Sequence, residues 1–584
     1  MNVSPPPSSP PITQPLDVIH ANEVDDPSGR TDSSEEEVDE GLVPDSDSSD
    51  TDVDGDFELD TSTALVQPIP SPGIIGAHDP PPAAEMIREE PSVKIGLIQE
   101  RIASSLGFHI SYRKAWKSKQ KAIVRVFGDW AESYAFLPRW LDYMLLFSPG
   151  SAYKPNVNEH RIDGRLDGSH KVFKRVFWTF KQCCDAFNYC KPMLQIDGTH
   201  LYGKYRGTLM IATAVDSNNY VLPVAFAVVS CENIDNWSWF LAMLRIHVTQ
   251  KDGICLISDR HAGILAAVNN VALGWQPPKA YHVFCVIHLA SNFNHKFKNI
   301  MLKKQLKKLG YTTSRLDFDA GLEKFKESSP QIAAWIDRIP KEKWSISYDA
   351  EGRRFGHMTT NLSECVNKVL KGARNLPITS LVRITYARLN EYFLAHGQEA
   401  REEMDKGNRF AKVFWVEYVK NQQNAATHFV TSYDRQKTRF EVQESYNQRT
   451  HRGGKKWWVS LQDRACQCGE FTAFRYPCSH VIAACKSVNH DPLQYIDPAY
   501  SASYQCQVYS GQWYPIGNED FIPPSQGPTI LPDVSLRRKK GRPRSTRIRN
   551  EMDQREGVSQ QVRCGYCRVV GHDRRRCPSR LQGN

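Results

Sequence analysis

Four residues suited to one tetrahedral ion stand within the run CQCGEFTAFRYPCSH: Cys466 and Cys468 flank a single residue, and Cys478 and His480 follow with the same one-residue spacing. Thiolate sulfur and imidazole nitrogen are the soft and borderline donors of closed structural zinc sites. A second set, Cys564, Cys567, His572 and Cys577 in CGYCRVVGHDRRRC, offers the same donor types, with Gly571 free to turn tightly around a metal. Carboxylates suggest a different chemistry. Asp197 ends an apolar, β-prone run before Gly198, Asp259 ends another before Arg260, and Glu364 begins an apparent helix in MTTNLSECVNKVLKGARNLPI. Strand ends at a sheet rim are where an α/β protein gathers polar groups, although either aspartate alone also reads as a helix cap or turn residue. Three carboxylates brought together repel and raise one another's pKa unless a divalent cation sits among them. That is the chemistry of a two-metal phosphoryl-transfer site.

The elements that must position these groups are legible in outline. PMLQIDGTHL, GTLMIATAVDSNN and YVLPVAFAVVSCE are three apolar runs divided by turn residues, the pattern of an antiparallel meander. DNWSWFLAMLRIHV has helical spacing, GICLISDRHAGILAAVNNV reads as a buried strand running into a helix, and AYHVFCVIHLA reads as a further strand. Residues 93–180 read as a helical region, 190–380 as an α/β domain interrupted by a lysine-rich helical insert near 295–350, and 381–445 as helical. In the unit at 450–490, KWWVSL reads as a strand before the first ligands and SHVIAACKS as a helix carrying the last. Cys485 and His490 there read as packing residues. Glu232, ahead of the helix with Trp237 and Trp239, reads as a capping or supporting acid.

The formal net charge of +9 over 584 residues conceals an asymmetry: residues 1–60 hold 18 acids against Arg30, a net of −17, so the remainder carries +26. Low hydrophobicity and runs such as SSEEEVDE make 1–92 read as a disordered acidic tail, either a solvated linker or a protein-contact and activating segment. The last 50 residues hold 15 Lys or Arg against four acids, a nucleic-acid footprint. Within 535–560, RRKKGRPRSTRIR places Arg542 and Arg544 in a segment resembling an AT-hook, which reads a narrow minor groove, and equally a nuclear-import signal. All 15 cysteines lie at or after Cys183. With the metal-like spacings and no signal peptide, they argue for a reducing compartment rather than a disulfide framework. No apolar run is long enough to span a membrane.

The CQC and CSH pairs resemble a SWIM-type zinc finger, and CGYCRVVGHDRRRC, within a module read at 562–579, resembles a CCHC zinc knuckle, a reader of single-stranded nucleic acid or a protein-contact module. LQIDGTHLYGKYRGTLMIATAVDSNNYVLPVAFAVVSCENIDNWSWFLAMLR, LISDRHAGI, YHVFCVIHLASNF and MTTNLSECVN resemble the transposase domain of plant Mutator-like elements, from about Val93 to the C-terminus. The resemblance implies an α/β ribonuclease-H-like core with a helical insertion and an Asp, Asp, Glu triad falling on Asp197, Asp259 and Glu364. It implies structural Zn²⁺ and catalytic Mg²⁺ or Mn²⁺. The family's Cys-x-x-His element falls on Cys285 and His288, whose roles stay open between ligand and core packing. Glu351 and Asp349 compete with Glu364 for the third position; the TTN..E motif favours Glu364.

Two functions from different classes follow. One is a nuclear, DNA-binding transposase, with homo-oligomerisation and protein partners at the acidic tail among its expectations. The other is a transposase-derived, non-enzymatic transcription regulator. The family usually carries an N-terminal zinc-dependent DNA-binding domain, and no cysteine precedes Cys183 here; the second reading rests on that departure, the first on the acids.

Overall fold

Four helices, α1 (Pro82–Glu89), α2 (Ile95–Leu106), α3 (Tyr112–Phe127) and α4 (Glu132–Phe147), precede a long antiparallel hairpin of β1 (Ala152–Ile162) and β2 (Arg165–Thr179). They are seen in a computed structural model that describes residues 82–360, 370, 372–434, 436–446, 453–524 and 527–538. Glu364, Arg542, Arg544 and the Cys564, Cys567, His572 and Cys577 set lie outside the described residues. Helix α1 falls within the stretch expected to be acidic tail: Ala84 and Ile87, one turn apart, are buried in the main core. The hairpin falls within the stretch expected to be helical. Much of AYKPNVNEHRI is exposed, so no apolar alternation announces β1.

After α5 (Lys181–Phe187) come the three apolar runs, as β3 (Met193–His200), β4 (Thr208–Val215) and β5 (Val221–Val229), paired as an antiparallel meander. Nearly every residue of these strands is buried, and a sheet covered on both faces calls for such continuous apolar sequence. Helix α6 (Ile234–His247) then crosses to β6 (Ile254–Ser258), and α7 (Ala262–Asn269) to β7 (Ala280–Phe284). Strands β6 and β7 join β3 in parallel, giving the order β1-β2-β5-β4-β3-β6-β7. The run AYHVFCVIHLA, expected to be one strand, changes at Cys285 into α8 (Val286–Phe297), because Cys285 precedes an apolar series at helical spacing, Val286, Leu289, Ala290 and Phe293.

Helices α9 (Ile300–Gly310), α10 (Arg315–Lys326), α11 (Pro330–Asp337) and α12 (Lys341–Trp344) form the insert. Leu306, Phe318, Phe325 and Trp344 gather there into a separate core with Phe293 of α8. The long α13 (Ile378–Asp405) returns beneath the sheet, where Thr385 Oγ1 accepts a hydrogen bond from Trp178 Nε1 at 3.1 Å. After α14 (Lys412–Ala425), a second sheet is built from β8 (Phe429–Asp434), β9 (Arg439–Gln443), β10 (Lys456–Ser460) and β11 (Ala465–Cys466), with α15 (Glu470–Phe474) and α16 (Ser479–Ser487) against it. Helix α17 (Ala502–Val508) follows, and β12 (Thr529–Leu531) closes the described chain onto β2 in parallel. Among the described residues no helix is long and apolar enough to cross a membrane.

Candidate functional site

Strand β11 delivers Cys466, the turn after it Cys468, and the start of α16 delivers Cys478 and His480. The four ligand atoms lie within 4.8 Å of one another. Cys468 Sγ is 3.6 Å from Cys478 Sγ, and His480 Nδ1 is 3.7 Å from both Cys466 Sγ and Cys478 Sγ. Tetrahedral zinc with Zn–S near 2.3 Å and Zn–N near 2.05 Å requires about 3.8 Å between sulfurs and about 3.6 Å from sulfur to nitrogen. The cage therefore has the dimensions of a zinc site. Burial and then contact with Cys466 push the Cys478 thiol well above its usual range, and contact with Cys468 does the same to Cys466; a cation at the centre reverses that cost by binding thiolates.

One functional residue here was missed in the sequence. His480 Nε2, on the far side of the ring from the sulfurs, is 3.0 Å from Glu444 Oε1, which also accepts a hydrogen bond from Trp457 Nε1 at 2.7 Å. These partners place the proton on Nε2 and leave Nδ1 to face the metal, the carboxylate–histidine–metal relay that orients a ligand. Glu444 follows β9, 22 residues before Cys466 (466 − 444). No Cys-x-Cys spacing points to it.

The acidic site lies on the main sheet. Gln195 of β3 pairs in parallel with Ile257 of β6, an offset of 62, and the same offset carries Asp197 to Asp259 (259 − 197). The two aspartates thus sit level on adjacent parallel strands: Asp259 directly follows β6, but Asp197, expected to end its strand, lies within β3, which stays paired with β4 as far as His200. Asp197 is buried; its Oδ1 accepts the Gly198 N–H at 2.8 Å and its Oδ2 the Thr360 hydroxyl at 3.0 Å, with His288 Nε2 at 3.9 Å. Asp259 Oδ1 accepts the His261 N–H at 3.0 Å. Burial pushes the Asp197 carboxyl up to about 6, His288 opposing and Asp259 adding to the effect.

Glu232 joins them. Its position after β5 allowed a capping role, but Asn233 caps α6, its side chain accepting from Asn236 N at 2.8 Å. Glu232 instead leans over Gly198, where a Cβ would stand 2.6 Å from Glu232 Oε1. Burial, then the charges of Asp259 and Asp197, push its carboxyl up to about 8. Cys285 and His288 border the same site. Burial alone would discharge His288, but Cys285, Asp197 and Asp259 raise it well above the usual imidazole range, and His288 in turn lowers the Cys285 thiol against burial. Of the competing acids, Asp349 Oδ2 accepts the Arg354 N–H at 2.8 Å and Glu351 pairs with Arg353 at 2.8 Å.

Two family models match the sequence: one described as MULE transposase domain over residues 193–292, and one described as SWIM zinc finger over residues 457–489. The chain carries a MULE transposase domain and a SWIM zinc finger. Both are consistent with a Mutator-like transposase or a protein derived from one. No curated protein matches the chain. The MULE match runs from β3 into α8 and includes Asp197, Glu232, Asp259, Cys285 and His288, while Glu364 lies beyond it. The SWIM match contains all four zinc-site residues but not Glu444. The SWIM finger packs against the MULE domain: Ala473 of α15 shares an apolar cluster with Val286 at the start of α8 and with Met358, two residues before Thr360.

Proposed function

We propose that the chain is a DNA-cleaving and strand-transferring enzyme of the Mutator-like type, with its acidic site as the catalytic centre and the SWIM finger as a zinc-held support. The observation that carries this reading is the level placement of Asp197 and Asp259 on adjacent parallel strands, with Glu232 held against Gly198, close enough to feel the charge of both. A ribonuclease-H-like core is supported by the strand run β5-β4-β3-β6-β7, a three-stranded antiparallel meander continued by two parallel crossovers.

The donor set fits hard divalent cations. Its side chains are carboxylates, and two of them carry raised pKa values whose causes include mutual repulsion, a cost that positive charge removes. When bound there, a pair of Mg²⁺ or Mn²⁺ ions supplies activation of a hydroxyl nucleophile and stabilisation of charge on a phosphodiester. Asp197 and Asp259 would hold the ions, with Glu232 contributing a third carboxylate. Glu364 is proposed as a further acid of the same site: Thr360, four positions before it, hydrogen-bonds Asp197 and so brings the chain to the site's edge. His288 would hold Asp197 in place and balance its charge. The basic segment with Arg542 and Arg544, and a zinc knuckle at Cys564, Cys567, His572 and Cys577, would anchor DNA in the nucleus. The test is strand cleavage of duplex DNA in Mg²⁺ or Mn²⁺. Asp197→Asn and Asp259→Asn should each abolish it while DNA affinity is retained. A wild-type chain that binds DNA without cleaving it in either metal would favour the non-enzymatic regulator.

A further inference from the structure

The β1–β2 hairpin carries a cluster that neither the acidic site nor the SWIM finger uses. Its register pairs Glu159 with Lys171 and, one step on, His160 with Asp167, so residues 168–170 are an excursion of β2 with no partner on β1. The excursion folds His170 back over Asp167. His170 Nδ1 lies 2.8 Å and His160 Nδ1 3.0 Å from the same oxygen, Asp167 Oδ2, and the two rings meet edge to face. The other oxygen, Oδ1, accepts the Ser169 N–H at 2.9 Å, which fixes the plane of the carboxylate. All three donor atoms lie within 4.8 Å of one another, and all three residues are half-buried.

We propose that His160, Asp167 and His170 form a binding site for one first-row divalent transition-metal ion, which staples the excursion of β2 to β1. Ligand atoms about 2.1 Å from an ion stand about 3.0 Å apart at 90° and about 3.4 Å apart at the tetrahedral angle. The observed 2.8 and 3.0 Å fit two 90° edges of an octahedron that meet at Asp167 Oδ2. Two imidazoles and one carboxylate suit zinc, cobalt, nickel or iron(II) and leave further positions for water. That donor set separates it from the thiolate cage of the SWIM finger and from the all-carboxylate acidic site. The Ser169 N–H on Oδ1 plays the orienting part that outer hydrogen bonds play around ligating carboxylates. Without an ion, Nδ1–H groups can donate to Oδ2, so the same geometry is held in advance, and the ion displaces those protons. The staple also bears on assembly of the sheet, because β12 pairs with β2 in register Thr529 to His170 and Ile530 to Lys171.

The test uses the full chain, loaded with zinc at its thiolate sites and then titrated with Co²⁺. The His160→Asn/His170→Asn double variant should bind one Co²⁺ fewer than the wild type. The absorption it loses should be the weak d–d band of six-coordinate cobalt, without the intense thiolate charge-transfer bands. Equal cobalt counts in the two proteins overturn the proposal. Asp167→Asn provides a check independent of the histidines, since it keeps a hydrogen-bond acceptor in the hairpin while removing the ligand's charge. Co²⁺ affinity should fall in that variant, and an unchanged affinity also overturns the proposal.

Discussion

Removing Glu444 should weaken zinc binding without touching any of the four ligands. Its Oε1 holds the proton-bearing Nε2 of His480 at 3.0 Å and the Trp457 indole N–H at 2.7 Å. Loss of such an outer carboxylate costs about 10–100-fold in metal affinity, which corresponds to about 1.4–2.7 kcal/mol. Glu444→Gln keeps an acceptor oxygen and should sit at the lower end. Glu444→Ala leaves both donors without this partner, in a site where His480 and Trp457 are buried, at about 1–3 kcal/mol for each group left unsatisfied, and should reach the upper end or pass it. Glu441, on β9 three residues before Glu444 and paired with Lys456 on the surface at 3.1 Å, is the control; Glu441→Ala should leave zinc affinity unchanged. Competition for zinc against a chromogenic chelator measures all three. A Glu444→Ala variant that holds zinc as tightly as the wild type would refute the assignment of Nδ1 as the ligand atom and of Glu444 as its orienting partner.

Three further outcomes are expected. Asp197 and Glu232 have folded-state pKa values raised to about 6 and about 8, so the metal-free folded chain binds more protons than the unfolded one, and stability falls as pH rises through those values. Thermal melts with chelator at pH 5 and pH 8.5 should therefore show a smaller loss in Glu232→Gln than in the wild type, and identical losses would contradict it. Gly352 has φ +62, and a Cβ there would collide with the Thr472 carbonyl oxygen. Gly352→Ala should thus loosen the SWIM finger from the MULE domain at a cost of about 1–3 kcal/mol, seen as faster proteolysis between them. Truncation at Ser535 removes a net charge of +11 and should reduce the slope of log affinity for duplex DNA against log salt by about 0.9 for each phosphate that the tail had neutralised; equal slopes would assign the tail to import or protein contacts.

What the sequence made legible was whatever local pattern controls directly. The cysteine and histidine spacing of the SWIM finger is set by one short turn and one helix start, so Cys466, Cys468, Cys478 and His480 could be read without a structure. The meander was equally plain, because strands covered on both faces must be apolar throughout. Glu444 and Glu232 were harder for a common reason: each is brought to its site by tertiary packing. Glu444 depends on β8 and β9, short strands in a stretch expected to be helical. Glu232 depends on Gly198 lacking a side chain, a close approach between residues 34 positions apart (232 − 198) that no periodicity records. The His160, Asp167 and His170 cluster was hidden likewise, since it requires an excursion from regular pairing in a mostly polar hairpin.

The central claim is that Asp197 and Asp259 share divalent cations, and the most direct measurement is anomalous scattering from crystals of the full chain grown with Mn²⁺ and DNA. Two manganese peaks about 3.5–4 Å apart should appear between Asp197 and Asp259, with Glu232 or Glu364 completing the ligands, and both should vanish in Asp197→Asn. Crystals that show manganese elsewhere but none between the two aspartates, with DNA bound, would contradict it.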